Sequence, residues 1–312
     1  MTQTRKPIAL ALVGVGKIAR DQHLPTIAED PAFTLVATVT RSGELPNTPN
    51  FPTINEALKS DRGIDAYVLC TPPAGRCAQA HAIIAAGLPV FLEKPPGASL
   101  TEVIGLQRQA GEQGVTLFAS WHSRYAAGVA PARAWLADKT VRSVTIDWKE
   151  DVRQWHPGQD WIFAVGGMGV FDPGINALSI ATEILPEPFA ITRAALGIPA
   201  NRDTPIQADL QGQLASGGQF QATFDFLHGD EQRWDIRVET DGGNLILRNG
   251  GAKLAIAGIP VPLERASEYA SLYRRFARLV DRRESDVDIA PFVHVADAFM
   301  LGVRRKLPTF DW

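Results

Sequence analysis

The first 120 residues alternate between short apolar runs and segments with helical spacing. Ile8–Val13 is an uninterrupted apolar run, which is typical of a strand buried on both faces of a parallel sheet. Further strands are predicted at 35–40, 66–71, 90–92 and 116–119, and helices at 17–29, 55–60, 75–86 and 99–112. Strands that alternate with helices predict an α/β fold with a parallel, doubly wound Rossmann sheet.

The second half of the chain has mostly alternating apolar and polar runs. They predict strands at 144–148, 189–194, 206–214, 218–226, 233–240, 243–248 and 252–257. Glycine-containing turns separate many of them, so we predict a mostly antiparallel, open sheet with one face covered. Helical spacing predicts a helix over 267–283 with an aromatic core face. A second helix over about 290–305 could pack back on the first domain.

Length and composition limit the possible classes of protein. The 312 residues suffice for two domains, which we place at 1–122 and 123–312. A net charge of -3 gives no basic surface for nucleic acid, and no apolar stretch reaches the ~20 residues of a membrane helix. The apolar run near the N-terminus fits a strand better than a signal peptide. Cys70 and Cys77 form neither a disulfide framework nor a zinc spacing, so we expect reduced thiols in the cytoplasm.

The first predicted strand runs into GVGKIA, in which Gly14, Gly16 and Ala19 have the G-x-G-x-x-G/A spacing. Gly14 permits a tight turn, Gly16 lets the backbone approach a pyrophosphate, and Ala19 allows close packing of helix on strand. The helix that begins here points unpaired N–H groups at the phosphates, so we predict a dinucleotide site. The predicted contacts in this turn are Gly14, Val15, Gly16, Lys17 and Ile18.

Ligands on a doubly wound sheet bind beyond the carboxyl ends of its strands. The second predicted strand ends in Arg41 and Ser42, and no carboxylate follows until Glu44. Arg41 can pair with a 2′-phosphate and Ser42 can donate to it, so we prefer NADP as cofactor, with NAD possible. Arg41 could instead be an ordinary surface residue. The other strand ends supply the remaining predicted cofactor contacts, which are Thr71, Pro72, Pro73, Glu93, Lys94 and His122.

The richest polar stretch of the second domain is WKEDVRQWHPGQDW, followed by GGMGVFDPGIN. Asp172 and Pro173 fit a helix N-cap and first helical position, which would explain Asp172 without chemistry. That role does not explain Asn176, which is four residues on and therefore on the same helix face. The glycines would let a ligand or a neighbouring backbone come close. We predict that Asp172 and Asn176 face a ligand.

Together these motifs resemble the glucose–fructose oxidoreductase/inositol dehydrogenase/MocA (Gfo/Idh/MocA) family over nearly the whole chain. The segments that carry the resemblance are GVGKIA, CTPP, LEKPPG and FDPGIN. It implies a Rossmann domain, a second α/β domain on an open sheet, and oxidation of a sugar or polyol with a nicotinamide cofactor. ARDQHLP, FASWHSR and WKEDVRQWHPGQ are similar to the L-arabinose/D-galactose 1-dehydrogenases, which convert an aldose to its lactone. These two sugars share ring stereochemistry, so the preferred aldose stays open.

One position departs from many members of that family, which carry an acid–base histidine where this chain has Asn176. The resemblance therefore implies that Lys94, Asp172 or a neighbouring histidine handles the O1 proton. Lys94 precedes Pro95 and should have an extended, constrained backbone. It could be the base, or it could stay charged and stabilise negative charge on O1 while Asp172 takes the proton. We expect Lys94 and Asp172 to act as a unit, with Asn176 as a third catalytic residue.

Sugar recognition needs several polar groups and often an aromatic platform. The candidate substrate contacts are His122, Glu150, Trp155, His156, Asp172, Asn176 and Trp234. Glu150 could instead be a surface charge, His156 a turn residue and Trp234 a core residue. No two histidines have ligand spacing on one helix, so we predict no metal. Two other functions stay open, an NADP-sensing regulator without turnover and a dehydrogenase of another sugar carbon. An open sheet face would suit a homodimer.

Overall fold

The computed structural model describes residues 6–265 and 267–312, so residues 1–5 of the predicted first domain lie outside the described chain. The described residues form two compact units. The first unit runs to Ser120 and also contains Tyr269–Asp288, and the second contains Trp121–Glu268 and Ile289–Trp312. Within the described ranges, none of the helices combines the length and the apolar character that crossing a bilayer requires.

The first unit is built on a six-stranded parallel sheet with the strand order β3-β2-β1-β4-β5-β6. Its strands are β1 (Ile8–Val13), β2 (Phe33–Val39), β3 (Asn50–Phe51), β4 (Ala66–Leu69), β5 (Val90–Leu92) and β6 (Leu117–Ala119). This is the strand order of a dinucleotide-binding Rossmann fold. The prediction missed only β3, which is too short to show a pattern of its own.

Helices cover both faces of this sheet, as its continuously apolar strands require. A π-helical turn (Ala19–His23) leads into α1 (Leu24–Glu29). The helices α2 (Ile54–Leu58), α3 (Arg76–Ala85) and α4 (Leu100–Gln113) pack on the face to which Val90 and Leu92 point. Phe91 points to the other face, because side chains alternate along a strand. There its ring contacts the rings of Tyr273 and Phe276 from α8 (Glu268–Arg282).

The observed division differs from the predicted one because α8 joins the first unit from Tyr269 onward. The aromatic side of α8 is core, as predicted, but it covers the first sheet rather than the second. The chain after α8 also extends that sheet, since the Ala119 N–H donates to the Asp286 carbonyl at 3.0 Å. The prediction placed this segment in the second domain because it comes late in the sequence. Its apolar side chains are instead buried against the first sheet.

The second unit is built on a nine-stranded sheet with the order β14-β13-β12-β11-β7-β10-β9-β8-β15. Its strands are β7 (Val141–Lys149), β8 (Phe189–Pro199), β9 (Gln207–Leu214), β10 (Gln219–Asp225), β11 (Arg233–Thr240), β12 (Gly243–Arg248), β13 (Lys253–Ile256), β14 (Ile259–Pro260) and β15 (Gly302–Leu307). The pairs β7–β10 and β8–β15 are parallel, and the other pairs are antiparallel. The prediction of a mostly antiparallel second sheet is therefore confirmed.

Helices of the second unit cover one face of this sheet. They are α5 (Val129–Leu136), α7 (Phe171–Ile184) and α9 (Ala290–Leu301), whereas the short α6 (Val152–Trp155) lies just after β7. The helix predicted over about 290–305 is shorter in the structure. It ends at Leu301 and packs against α7 and β8, with Phe171 and Phe299 in ring contact. From Gly302 the chain pairs with β8 as β15, and this edge pairing overrides the helical pattern of the sequence.

Candidate active site

A cavity of about 470 Å³ lies at the carboxyl ends of β1, β2 and β4 in the first unit. Its walls include Gly14, Arg41, Ser42 and Thr71, all of them predicted cofactor contacts. Gly14 has a φ of +82°, and a Cβ there would lie 2.9 Å from Cγ2 of Thr71, so this turn requires glycine. A Cβ at Gly16 would meet nothing within 4 Å, which leaves its backbone open to a pyrophosphate. The residues of this cavity fit a dinucleotide.

The loop after β2 is braced by Asn50, a residue that sequence analysis did not single out. Its Oδ1 accepts a hydrogen bond from the Thr40 N–H at 3.2 Å, and its Nδ2 donates to the Thr40 carbonyl at 3.0 Å. Arg41 and Ser42, which follow directly, are exposed. The brace thus fixes the start of the loop and leaves the guanidinium and the hydroxyl accessible to a phosphate.

The other predicted contacts of the glycine turn and of β4 differ in exposure. Val15 is buried, so only its backbone can reach a ligand, and Ile18 is half-buried. Lys17 is exposed and forms a salt bridge with Asp21 one helical turn on. After β4, Pro72 is exposed and Pro73 is buried.

Lys94 directly follows β5 and Glu93, and its peptide bond to Pro95 is cis. Glu93 is only 3% exposed, and its Oε2 accepts a hydrogen bond from the Lys94 N–H at 2.9 Å. Its Oε1 accepts one from the Tyr269 hydroxyl at 2.8 Å. Glu93 was predicted as a cofactor contact, and its carboxylate accepts hydrogen bonds from these two protein donors.

Sequence analysis missed the residues that surround Glu93. His23, Tyr273 and Arg76 are all buried, and His23 Nε2 lies 2.9 Å from Oε1 of Glu93. The only signal in the sequence was polar residues at apolar positions: His23 in the first helix, and Tyr269 and Tyr273 one turn apart. That signal indicates burial but not a shared partner, because His23 and Tyr273 are 250 positions apart in the chain.

In the second unit, the structure brings Glu150, His156, Asp172 and Trp234 together. Glu150 follows β7 and is 3% exposed, so the alternative of a surface charge is wrong. Its Oε2 accepts a hydrogen bond from the Trp234 indole at 2.8 Å, and its Oε1 lies 3.5 Å from His156 Nε2. The same His156 nitrogen lies 4.0 Å from Oδ2 of Asp172. One partly exposed imidazole therefore stands between two buried carboxylates.

Indole rings lie beside these carboxylates. The rings of Trp155 and Trp234 are 5.2 Å apart, and Trp234 stacks on Trp148 at 6.0 Å. The Trp155 N–H finds no acceptor among the residues that the structure describes. Aromatic rings with a few fixed polar groups are the usual lining of a small-molecule site. This arrangement can bind a polyhydroxylated ligand and accept a proton from it.

Asp172 does not cap α7, so the capping interpretation is wrong. The helix begins at Phe171, and Val170 holds the N-cap position without a side-chain hydrogen bond. Asp172 therefore lies inside the first turn, 3% exposed, on one face with the partly exposed Asn176. The preceding glycines have a structural reason, since a Cβ at Gly169 would lie 2.0 Å from the Pro205 carbonyl oxygen.

His122, predicted to contact both cofactor and sugar, begins a short 3-10 turn at the start of the second unit. Its Nδ1 lies 2.6 Å from Oε2 of Glu268, a partner that the sequence did not indicate. Across the described ranges, no three His, Cys, Asp or Glu side chains form a group that could hold a metal ion.

Comparison with known proteins identifies the family. Residues 8–120 match the GFO_IDH_MocA family, an oxidoreductase family with an NAD-binding Rossmann fold. The chain is 44% identical over 306 residues to galactose 1-dehydrogenase of Pseudomonas fluorescens, covering 98% of this chain and 99% of that relative. This chain belongs to the Gfo/Idh/MocA family. It is thus an oxidoreductase, as the resemblance implied.

Solved structures of other proteins agree with this assignment. The crystal structure of D-galactose-1-dehydrogenase from Rhizobium etli is 53% identical, has a TM-score of 0.95 and covers 100% of both chains. A 3-ketoreductase from Actinomadura kijaniata, solved with NADP and TDP-benzene, is 18% identical with a TM-score of 0.83. It covers 97% of this chain and 100% of its own, and at that identity it shows the shared fold alone. The predicted fold class is confirmed for this family member.

Proposed function

We propose that the protein is an aldose 1-dehydrogenase that oxidises D-galactose, L-arabinose or both at C1 to the lactone, with NADP as its preferred cofactor. The observation that carries this proposal is the group of Glu150, His156 and Asp172 beside Trp155 and Trp234. It occurs in a chain that is 53% identical, over its whole length, to a D-galactose 1-dehydrogenase.

The side chains of this group suit the hydroxyls of a pyranose ring. Glu150 is fixed through one oxygen by Trp234, which leaves Oε1 as an acceptor for a sugar hydroxyl beside His156. Asn176 offers both a donor and an acceptor, and it cannot exchange a proton at neutral pH. Because D-galactose and L-arabinose share the configuration of their ring hydroxyls, residues that read those hydroxyls would serve both sugars.

Oxidation at C1 requires loss of the O1 proton and of a hydride from C1, and it yields the lactone, the reduced cofactor and one proton. NADP, when bound, accepts the hydride. We propose that Lys94 and Asp172 handle the O1 proton together. A buried carboxylate can take the proton, while an ammonium group stabilises the negative charge that develops on O1. Asn176 would orient the sugar rather than carry a proton.

The preference for NADP rests on the loop after β2. Arg41 and Ser42 line the cavity of about 470 Å³ and are exposed to it, and a guanidinium pairs well with a phosphate. A carboxylate at this position would instead accept hydrogen bonds from the 2′-hydroxyl of NAD. The predicted contacts at the glycine turn would hold the pyrophosphate, and Thr71 would line the adenosine end of the site.

We also propose a homodimer formed by the open sheet face of the second unit. This face holds a shallow cavity of about 650 Å³ lined by Arg193, Asp209 and Arg305, with exposed Leu301 and Val303 at its side. A surface with charges of both signs can pair with itself around a two-fold axis. Light scattering should give the mass of a dimer for the wild-type protein and the mass of a monomer for Val303→Glu. A monomer mass for the wild-type protein at assay concentration would refute the dimer.

The two cysteines are unpaired, which supports a reducing compartment, and we propose the cytoplasm. The function itself is tested by mixing the protein with NADP or NAD and a panel of aldoses, and following the absorbance of the reduced cofactor. We expect turnover with D-galactose or L-arabinose and a product that hydrolyses to an aldonic acid. A stable keto-sugar would indicate another ring carbon. Tight cofactor binding without turnover on any sugar would indicate a nucleotide sensor.

A further inference from the structure

We infer that Glu93 is a positioning residue for Lys94, held in place by a buried network of His23, Tyr269 and Tyr273. The inference rests on the proposed function, because the position of Lys94 matters for activity only if Lys94 takes part in the reaction. All of these residues belong to the first unit.

Both carboxylate oxygens of Glu93 are engaged. Oε2 accepts a hydrogen bond from the Lys94 N–H at 2.9 Å. Oε1 accepts one from the Tyr269 hydroxyl at 2.8 Å and lies 2.9 Å from Nε2 of His23. The side chain therefore ties the backbone of Lys94 to α8 and to the π-helical turn after β1. These two elements come from opposite ends of the chain.

His23 completes this network. It is 0% exposed, and its Nδ1 lies 2.8 Å from the Tyr273 hydroxyl. Burial, and then the nearby Cys70 and Glu93, raise the pKa of Tyr273 well above its usual value, so this hydroxyl keeps its proton. Tyr273 can then donate to Nδ1, which leaves the His23 proton on Nε2 to be donated to Glu93. Each donor in this series of hydrogen bonds then has one acceptor.

Arg76 holds the same backbone from the other side. It is 3% exposed, and its Nη1 donates to the carbonyls of Glu93 and Pro95, which flank Lys94. Its Nε donates to the Thr71 carbonyl at 2.9 Å, so the guanidinium also connects this segment to the end of β4. The peptide group before Lys94 is thus held by Glu93 and Arg76, which are buried side chains of opposite charge. Arg76 also holds the carbonyl of Pro95.

The arrangement has little value for stability alone. Burying charged groups is costly, and well-packed apolar residues of similar volume often stabilise a core as well or better. A fixed backbone does have value at a catalytic lysine, since a displacement of about 1 Å can reduce turnover by about 100-fold. We therefore assign the Glu93 network to the alignment of Lys94 rather than to the folding of the sheet.

The test uses tyrosine-to-phenylalanine variants, because removing Glu93 outright would leave the buried His23 and Tyr269 without their acceptor. Tyr269→Phe and Tyr273→Phe each remove one hydroxyl of the network. Tyr67→Phe is the matched control, since the Tyr67 hydroxyl is also buried in this unit but has no hydrogen-bond partner among the described residues. We expect Tyr269→Phe to lower kcat about 10- to 100-fold with the Kd of NADP within about twofold, and Tyr67→Phe to leave both unchanged.

A double-mutant cycle separates positioning from a general loss of structure. In a Lys94→Ala background, Tyr269→Phe should have no further effect on kcat, whereas its shift in Tm should persist. Equal losses of kcat in both backgrounds, or a normal kcat for Tyr269→Phe alone, would overturn the inference. The proposed function fails separately, if Lys94→Ala itself keeps a near-normal kcat.

Discussion

The indole N–H of Trp234 and Oε2 of Glu150 are joined by a hydrogen bond of 2.8 Å. The pair follows from the register of the second sheet, in which Trp234 of β11 lies opposite Trp148 of β7. Glu150 is two residues beyond Trp148 and therefore points to the same side. The bond fixes a buried carboxylate with its second oxygen toward His156, which is the basis of the proposed sugar site.

Trp234→Phe removes the indole N–H and keeps an aromatic ring. A hydrogen bond to a charged group contributes about 1.5–3 kcal/mol, so we expect the KM for the sugar to rise roughly 10- to 100-fold, with a smaller fall in kcat. The control is Trp135→Phe on α5, an indole outside this group. Steady-state kinetics with D-galactose checks the prediction, and equal KM values for the two variants would exclude a role for the bond in binding.

Arg41→Ala removes the guanidinium from the loop after β2. We expect the KM for NADP to rise about 10- to 100-fold and the KM for NAD to change little, because only NADP carries the 2′-phosphate with which the guanidinium would pair. Arg62→Ala changes another exposed arginine of the same unit and serves as the control. If Arg41→Ala affects both cofactors equally, Arg41 is an ordinary surface residue.

Asp172→Asn and Ser99→Ala should separate chemistry from helix capping. Ser99 is the N-cap of α4, and its side chain accepts from the Glu102 N–H. Its loss should cost about 1 kcal/mol of stability and leave kcat unchanged. Asp172 lies inside the first turn of α7 and not at its N-cap position, so we expect Asp172→Asn to lower kcat by orders of magnitude with a smaller change in Tm. Melting curves and initial rates check the prediction. If Asp172 were structural, Asp172→Asn would lower Tm strongly and change kcat little.

The two cysteines should differ in reactivity. Burial, and then the charge of Glu93, raise the pKa of Cys70 well above its usual value, while Arg76 opposes this. Burial, followed by Glu102, raises the pKa of Cys77 as well. A raised pKa lowers the thiolate fraction at pH 8, so both thiols should be alkylated more slowly than in the unfolded chain. We expect Cys77 to be alkylated faster than Cys70. Mass spectrometry of timed alkylation would contradict this if Cys70 reacted as fast as in denaturant.

The sequence predicted the strands of both sheets well, because apolar runs such as Ile8–Val13 show directly that a strand is buried. The prediction failed where the structure of a segment depends on a partner that is distant in the sequence. The apolar face of α8 reveals burial but not against which sheet, and β15 is a strand only because β8 offers it an edge. Neither fact is local in the chain.

The site was predictable to the same extent. Glu150, His156, Asp172 and Trp234 were named from residue type and position, and the structure brings them together. The capping role of Asp172 was wrong because helix starts are uncertain by a residue or two. The network around Glu93 was not predictable, since its hydrogen bonds join residues as far apart as His23 and Tyr273.

The most direct test of the proposed C1 oxidation is deuterium transfer from D-galactose labelled only at C1. After turnover, the mass of the reduced cofactor shows whether the hydride came from that carbon. We predict one deuterium in each molecule of NADPH formed and a slower rate than with unlabelled sugar. Reduced cofactor without deuterium would contradict the account, because the hydride would then have left another carbon.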